Sequence, residues 1–203
     1  MAHHESLVGN KWTPGSSYGP VLSQTDLYLL KPDLEIHPIL TNQHSFHLSF
    51  NLVTGQTSGD QPNMPFDKKD EPATMPRVTQ LYIITKLSPW CTVVTNERGV
   101  TMADVCTTIW KDYAENFITE TELGILPLRV KDQVKRAAMH NTSNAAPNSS
   151  SQWYYPSAPP SRFKRVDWLR ERIYFDGLQK NDGYVESRLG FKAPNIFVMD
   201  LVA

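Results

Sequence analysis

The stretch 76–117 constrains this chain more than any other, because signals for a strand, a corner, a second strand and a helix follow one another in it without a gap. Val78, Leu81, Tyr82, Ile83, Ile84 and Leu87 make a near-continuous apolar run of β-formers, the pattern of a central, largely buried strand. Pro89 cannot donate a ladder hydrogen bond and fixes its own backbone angle. The run 77–87 therefore ends at a Ser88-Pro89-Trp90 corner, and residues 91–95 become the second strand of a hairpin. Beyond a turn closed by Gly99, Thr101 stands three residues ahead of Asp104, which predicts a helix start: a threonine hydroxyl accepts an exposed amide and the carboxylate favours the positive helix end. Val105, Ile109, Tyr113 and Phe117, with Met102, Cys106 and Trp110, form one wide apolar face, while Lys111, Asp112 and Glu115 fall on the other. A hairpin with a helix packed on it is the expected kernel of the fold.

The rest of the chain is read around that kernel. With 203 residues and 40% hydrophobic content it is long enough for one good core. The reading is a single domain over residues 36–203, preceded by a loosely docked N-terminal extension, 1–35, whose Leu27, Tyr28, Leu29 and Leu30 are stopped by Pro32. Residues 1–20 are mostly polar and hold neither a signal-peptide core nor a membrane span, so a cytoplasmic or nuclear protein without membrane contact is expected. Residues 46–52 alternate apolar with polar, as a half-exposed antiparallel strand does, with His47 outward. Glycines and prolines make 54–76 a long loop. Two short helical pieces follow, 119–126 and 130–140, separated at Gly124 and Pro127. Residues 141–161, with six serines, four prolines and three asparagines, read as an exposed loop carrying the aromatic patch Trp153, Tyr154, Tyr155. The chain re-enters at 165–169, passes 173–175 and an Asp176-Gly177 turn, and finishes with a strand at 196–202. These parts predict an α+β fold: an antiparallel sheet of four to five strands with two or three helices packed on one face.

One combination of residues carries a resemblance. Glu71-Pro72-Ala73-Thr74-Met75-Pro76-Arg77-Val78, then Leu81 to Ile84, Pro89-Trp90, Val100-Thr101 with Asp104-Val105, and later Arg165-Val166-Asp167-Trp168-Leu169 with Phe175 and Gly177-Leu178, resemble an uncharacterised domain family of mushroom-forming fungi. The resemblance runs from about Ile36 to the C-terminus. It implies a domain type and a fungal source and assigns no catalytic residue.

The chemistry in the sequence is sparse. His44 and His47 have a metal-like spacing, but on a strand they point to opposite faces and nothing completes a ligand set, so no metal or other cofactor is expected. Cys91 and Cys106 sit on apolar elements without a basic neighbour, where thiols stay protonated, buried and unpaired. Asp167 beside Trp168 is either an acid whose pKa an apolar wall raises or a structural carboxylate paired with Arg165 or Arg170. There is no Walker or Rossmann glycine pattern, no HExxH and no GxSxG. Residues 1–126 hold 8 Lys+Arg against 14 Asp+Glu, whereas 127–192 hold 12 against 6. That basic half, with Arg162-Phe163-Lys164-Arg165, is read as a solvated face rather than a nucleic-acid site, since the whole chain carries a net charge of -1. The functional expectation is a non-enzymatic interaction module that recognises a protein or peptide, its oligomeric state open, with Trp90, Trp153, Tyr154, Tyr155, Arg165, Asp167 and Trp168 as candidate binding residues. The alternatives are a small-ligand binder or enzyme with a pocket between sheet and helices near Trp90 and Trp168, and a weak nucleic-acid binder.

Overall fold

The structure, a computed structural model, describes residues 11–14, 18–41, 48–59, 66–144 and 160–203. In chain order its elements are β1 (Val21–Leu22), α1 (Gln24–Leu30), β2 (Glu35–Ile36), α2 (Pro38–Thr41), β3 (Ser49–Phe50), β4 (Thr57–Ser58), a 3-10 turn (Asp67–Asp70), β5 (Thr74–Met75) and β6 (Arg77–Val78). There follow β7 (Gln80–Thr85), β8 (Cys91–Thr95), α3 (Met102–Ala114), α4 (Glu120–Gly124), α5 (Leu128–Asn144), α6 (Arg165–Trp168), β9 (Tyr174–Gln179), α7 (Asp182–Leu189) and β10 (Ile196–Val202).

The architecture is mixed α+β, built on a four-stranded sheet of order β8-β7-β10-β9 with two-stranded ribbons β1-β6, β2-β5 and β3-β4 around it. The β7-β8 hairpin is antiparallel, with Ile83 opposite Thr92, and its corner falls at Pro89 as expected. The sheet is not antiparallel throughout: β10 pairs antiparallel with β9 but parallel with β7, Phe197 standing opposite Ile83. A parallel pair needs a crossover instead of a turn, and the whole stretch 86–195 supplies it.

Helices also cover both faces of the sheet, not one. Leu81 and Ile83 of β7, Val94 of β8 and Phe197, Met199 and Leu201 of β10 join the main apolar cluster, together with Met102, Val105, Ile109 and Tyr113 of α3. Ile84, Ile196 and Val198 alternate to the opposite face, where Val185 of α7 is buried against them and Tyr184 and Leu189 pack alongside. Period-two strands that are apolar at every position require a second layer, and α7 provides it. That helix starts at Asn181, whose side chain accepts the Tyr184 N–H, and ends at Gly190 in the left-handed conformation.

Thr101 and Asp104 form the expected reciprocal cap of α3. The helix stops at Ala114, so Phe117 leaves the buried stripe; it is 38% exposed and lies under the Arg162 guanidinium, 4.0 Å from the ring centre. Asp112 likewise leaves the solvent face, accepting from the Thr92 hydroxyl at 2.5 Å. The segment before residue 36 contributes Leu27 and Leu34 to the main cluster, and Arg77 donates to the carbonyls of Tyr18 and Gly19. Within 54–76 lie β4, the 3-10 turn and β5. The two helical pieces after α3 appear as α4 and α5, but α5 runs to Asn144 and buries Asn141. Residues 141–144 are therefore helix where composition reads as loop.

Gly177 is inside β9 and not in a turn: its φ of 153° and its position against α2, where a Cβ would meet the Thr41 carbonyl carbon and oxygen at 3.2 Å, explain the glycine. Cys106 is buried, whereas Cys91 is exposed on edge strand β8; both are free thiols. No described helix is long and apolar enough to cross a membrane. His44, His47 and the patch Trp153, Tyr154, Tyr155 lie outside the described residues.

Candidate functional site

The structure brings Trp90, Arg165 and Trp168 together and places Asp167 beside them. Trp90 ends the hairpin corner, and its ring meets Trp168 edge-on at 5.2 Å and Tyr113 at 6.0 Å. Arg165 lies over the same ring at 4.8 Å and forms an ion pair with Asp112 of α3. The polar tips are satisfied locally. Trp90 Nε1 donates to Glu122 of α4 at 2.6 Å, Trp168 Nε1 donates to the Leu87 carbonyl at 3.1 Å, and the Ser88 and Tyr113 hydroxyls share a hydrogen bond at 2.6 Å. The Thr119 N–H, with help from Trp90, holds the Glu122 carboxyl below its ordinary value, and burial pushes the Tyr113 phenol up to about 12. Arg188 of α7, which the sequence reading did not single out, donates to the Thr85, Ser88 and Trp90 carbonyls and fastens the corner from the other side.

Asp167 is 3% exposed, and its partner is neither Arg165 nor Arg170. One carboxylate oxygen accepts the Asn141 amide of α5 at 2.9 Å and the other the Lys164 N–H at 2.8 Å, which caps α6. Burial raises its pKa above the ordinary value, with these two hydrogen bonds acting against the rise. The cluster thus holds α3, α4, α5, α6 and the corner together, with its indole N–H groups, hydroxyls and carboxylates bonded to neighbouring side chains and backbone, while the buried Arg165 Nε has no partner among the described residues.

Two other places on the surface are less committed. On α1, Ser23 and Asp26 form a reciprocal cap and Leu27 anchors the helix at 2% exposure, yet the next three side chains, Tyr28, Leu29 and Leu30, are 77%, 70% and 66% exposed. Tyr28 and Phe191, itself 58% exposed, line a groove of about 700 Å³ with Leu27 and Pro194. Four consecutive apolar residues in the sequence carry no signal of which one the core takes.

The second place is a cleft of about 630 Å³ between α5 and the chain around the Asn51–Tyr174 bridge. Gln133, Arg136 and His140 of α5 reach it at helical spacing, and Arg170, which follows α6, faces them. Arg170 holds a left-handed backbone, φ 62°, and donates through Nη1 to Gln133 Oε1 at 3.0 Å, while its buried Nε has no partner among the described residues. Among the described residues no three histidine, cysteine or acidic side chains come together as a metal site.

Comparison with curated proteins and with solved structures finds no match. A model of a family of unknown function, DUF6699, matches residues 42–186. That span takes in the hairpin, α3 and the Trp90–Trp168 cluster but stops short of β10, which fills the sheet between β7 and β9. With most of its length covered by this one model, the chain belongs to the DUF6699 family of unknown function.

Proposed function

We propose that this chain is a non-enzymatic protein-interaction module of a fungal protein, working in the cytoplasm or nucleus, and that α1 with Phe191 is its contact surface. The observation that supports the reading is the exposure of Tyr28, Leu29 and Leu30 on a helix that is capped and anchored. Contiguous exposed apolar side chains on a fixed element are unusual on a protein that meets no partner, and aromatic anchors beside a groove are the common form of a recognition site. Lys31, Lys180 and Lys192 stand with Asp33 and Asp182 at the groove, and Lys180 already bonds Asp33 at 2.7 Å, so the occupant is recognised by apolar anchors more than by charge. A peptide segment of a partner protein bearing one or two large apolar side chains fits that chemistry.

The experiment is affinity capture from cells of the source organism, with wild type beside Leu30→Asp and Phe191→Asp. Both residues are exposed, so the variants keep the wild-type unfolding temperature. Specific loss of a captured protein in both, followed by its recapture as a purified peptide, supports the module. Undiminished capture by both variants refutes this surface. A second reading, a small-ligand-binding protein, draws on the α5 cleft.

A further inference from the structure

We propose that the α5 cleft is a binding site for a small organic anion, a carboxylate or phosphate carried on an apolar or aromatic body, held by Arg170 and Arg136. This goes beyond the interaction reading and does not depend on it. The guanidinium of Arg170 has two usable edges. Nη1 is spent on Gln133 Oε1, which fixes the plane of the group, and the opposite edge, Nε with Nη2, lacks an acceptor among the described residues. A buried N–H without an acceptor calls for an explanation, and a carboxylate or phosphate matches that edge as a planar two-point partner. The left-handed backbone at Arg170 is held in place by its own N–H, which donates to the Asp167 carbonyl at 3.1 Å.

Arg136 supplies the second cation. It sits three residues beyond Gln133, on the same face of α5, and has no hydrogen-bond or ion-pair partner among the described residues. Among the described side chains lining the cleft the two guanidiniums stand against one carboxylate, Glu171, and Ala203 lines it as well. Beside the polar Asn51, Thr54, His140 and Asn141, the wall carries an apolar part, Val53, Ala137, Ile173 and the half-exposed Tyr174 ring, that offers a surface for a flat organic body. Asn141 also lines the cleft while its amide nitrogen bonds Asp167, so occupancy is felt directly at the buried carboxylate.

The test titrates full-length protein with benzoate, phenyl phosphate and inorganic phosphate, followed by calorimetry and by the arginine Nε–H resonances in NMR spectra. One of the two aromatic anions binds, shifts the Arg170 Nε–H signal and binds more tightly than inorganic phosphate; whichever of them is tighter identifies the headgroup. Arg136→Gln, an exposed helix substitution that leaves the fold intact, weakens that binding roughly ten-fold or more. Leu30→Asp leaves it unchanged. The proposal is overturned if neither aromatic anion binds up to about 10 mM. It is equally overturned if Arg136→Gln binds as wild type does, or if inorganic phosphate binds as well as both organic anions.

Discussion

Substituting Asn141 by leucine tests the internal structure of the cluster most directly. Asp167 is 3% exposed and its two oxygens are served by two donors, the Asn141 amide and the Lys164 N–H. Leucine keeps the volume and removes one donor, leaving a buried carboxylate oxygen unpaired; a hydrogen bond to a charged group contributes about 1.5 to 3 kcal/mol. For a chain of this size each kcal/mol moves the unfolding midpoint by about 2 to 4 °C, so Asn141→Leu lowers it by roughly 3 to 12 °C. Asp167→Asn behaves differently. The new amide still offers an oxygen to the Lys164 N–H, and the Asn141 amide can turn to present its own oxygen, so both bonds survive as neutral ones. Because burial raises the Asp167 pKa, the folded protein holds that proton more firmly than the unfolded chain. Its contribution to stability is complete below the ordinary carboxyl value of 3.8 and is lost as pH rises through the raised folded value. Relative to wild type, Asp167→Asn therefore gains stability as pH rises across that interval and is the milder substitution at neutral pH. Thermal unfolding followed by circular dichroism between pH 3 and 7, for wild type and both variants, measures this; the pH limits are about those of carboxyl titration. If Asp167→Asn is the more damaging at neutral pH, or the difference has no pH dependence, the account of this carboxylate is wrong.

The two thiols should separate cleanly. Burial pushes the Cys106 thiol up to about 12 while Cys91 is exposed, so a thiol reagent near pH 8 titrates one group in the native protein and two in denaturant, and rapid native reaction of both would contradict the burial of α3. Gly55→Ala places a Cβ 2.7 Å from the Trp110 ring at a φ of 73°, and the combined clash and backbone strain lower stability by about 2 to 4 kcal/mol in chemical denaturation; a neutral result would mean that the 51–56 turn is free to move off α3. Single-stranded DNA binds only at low salt and is released near physiological ionic strength, as scattered phosphate contacts are; sequence-dependent binding at that salt would restore the nucleic-acid reading.

What the sequence disclosed depends on how local the cause is. The Pro89 corner and the Thr101–Asp104 cap are set by residues a few positions apart, and both appear where their residue types predict them. The pairing of β10 with β7 leaves no turn to read, and its direction is invisible until the chain is folded. Even so, Ile196, Phe197, Val198 and Met199 are apolar at successive positions, which already asks for cover on both faces. Asp176-Gly177 has turn chemistry, yet the glycine answers a different need, the close approach of the α2 backbone. Asn141 has loop chemistry, and only its bond to Asp167, 26 residues away, makes its burial in a helix sensible. The candidate site shows the same division. Trp90, Arg165, Asp167 and Trp168 stand out by residue type and come together, but their hydrogen bonds go to Glu122, Asp112, Asn141, the Lys164 N–H and the Leu87 carbonyl, partners that, like the Arg170 edge with no acceptor among the described residues, can be found only by accounting for each hydrogen bond in three dimensions.

The uneven charge along the chain has a similar explanation. An acidic first part and a basic second part suggest, in one dimension, a segment reserved for an anionic polymer. In the fold, cations of the second part meet groups of the first: Arg165 pairs with Asp112, Lys180 with Asp33, Arg162 covers the Phe117 ring, Lys131 donates to the Gly124 carbonyl, and Arg188 binds three carbonyls of the 85–90 corner. Partly exposed pairs of this kind contribute little stability singly, about 1 kcal/mol or less each. Their placement matters more than their strength, because it fixes which face of the basic segment turns inward and leaves a smaller set of cations for any ligand. Arg136 and Arg170 belong to that smaller set and share one cleft. An anion recognised there would be small and shaped, since the fold offers it two guanidiniums and a partly apolar wall in place of an extended basic track.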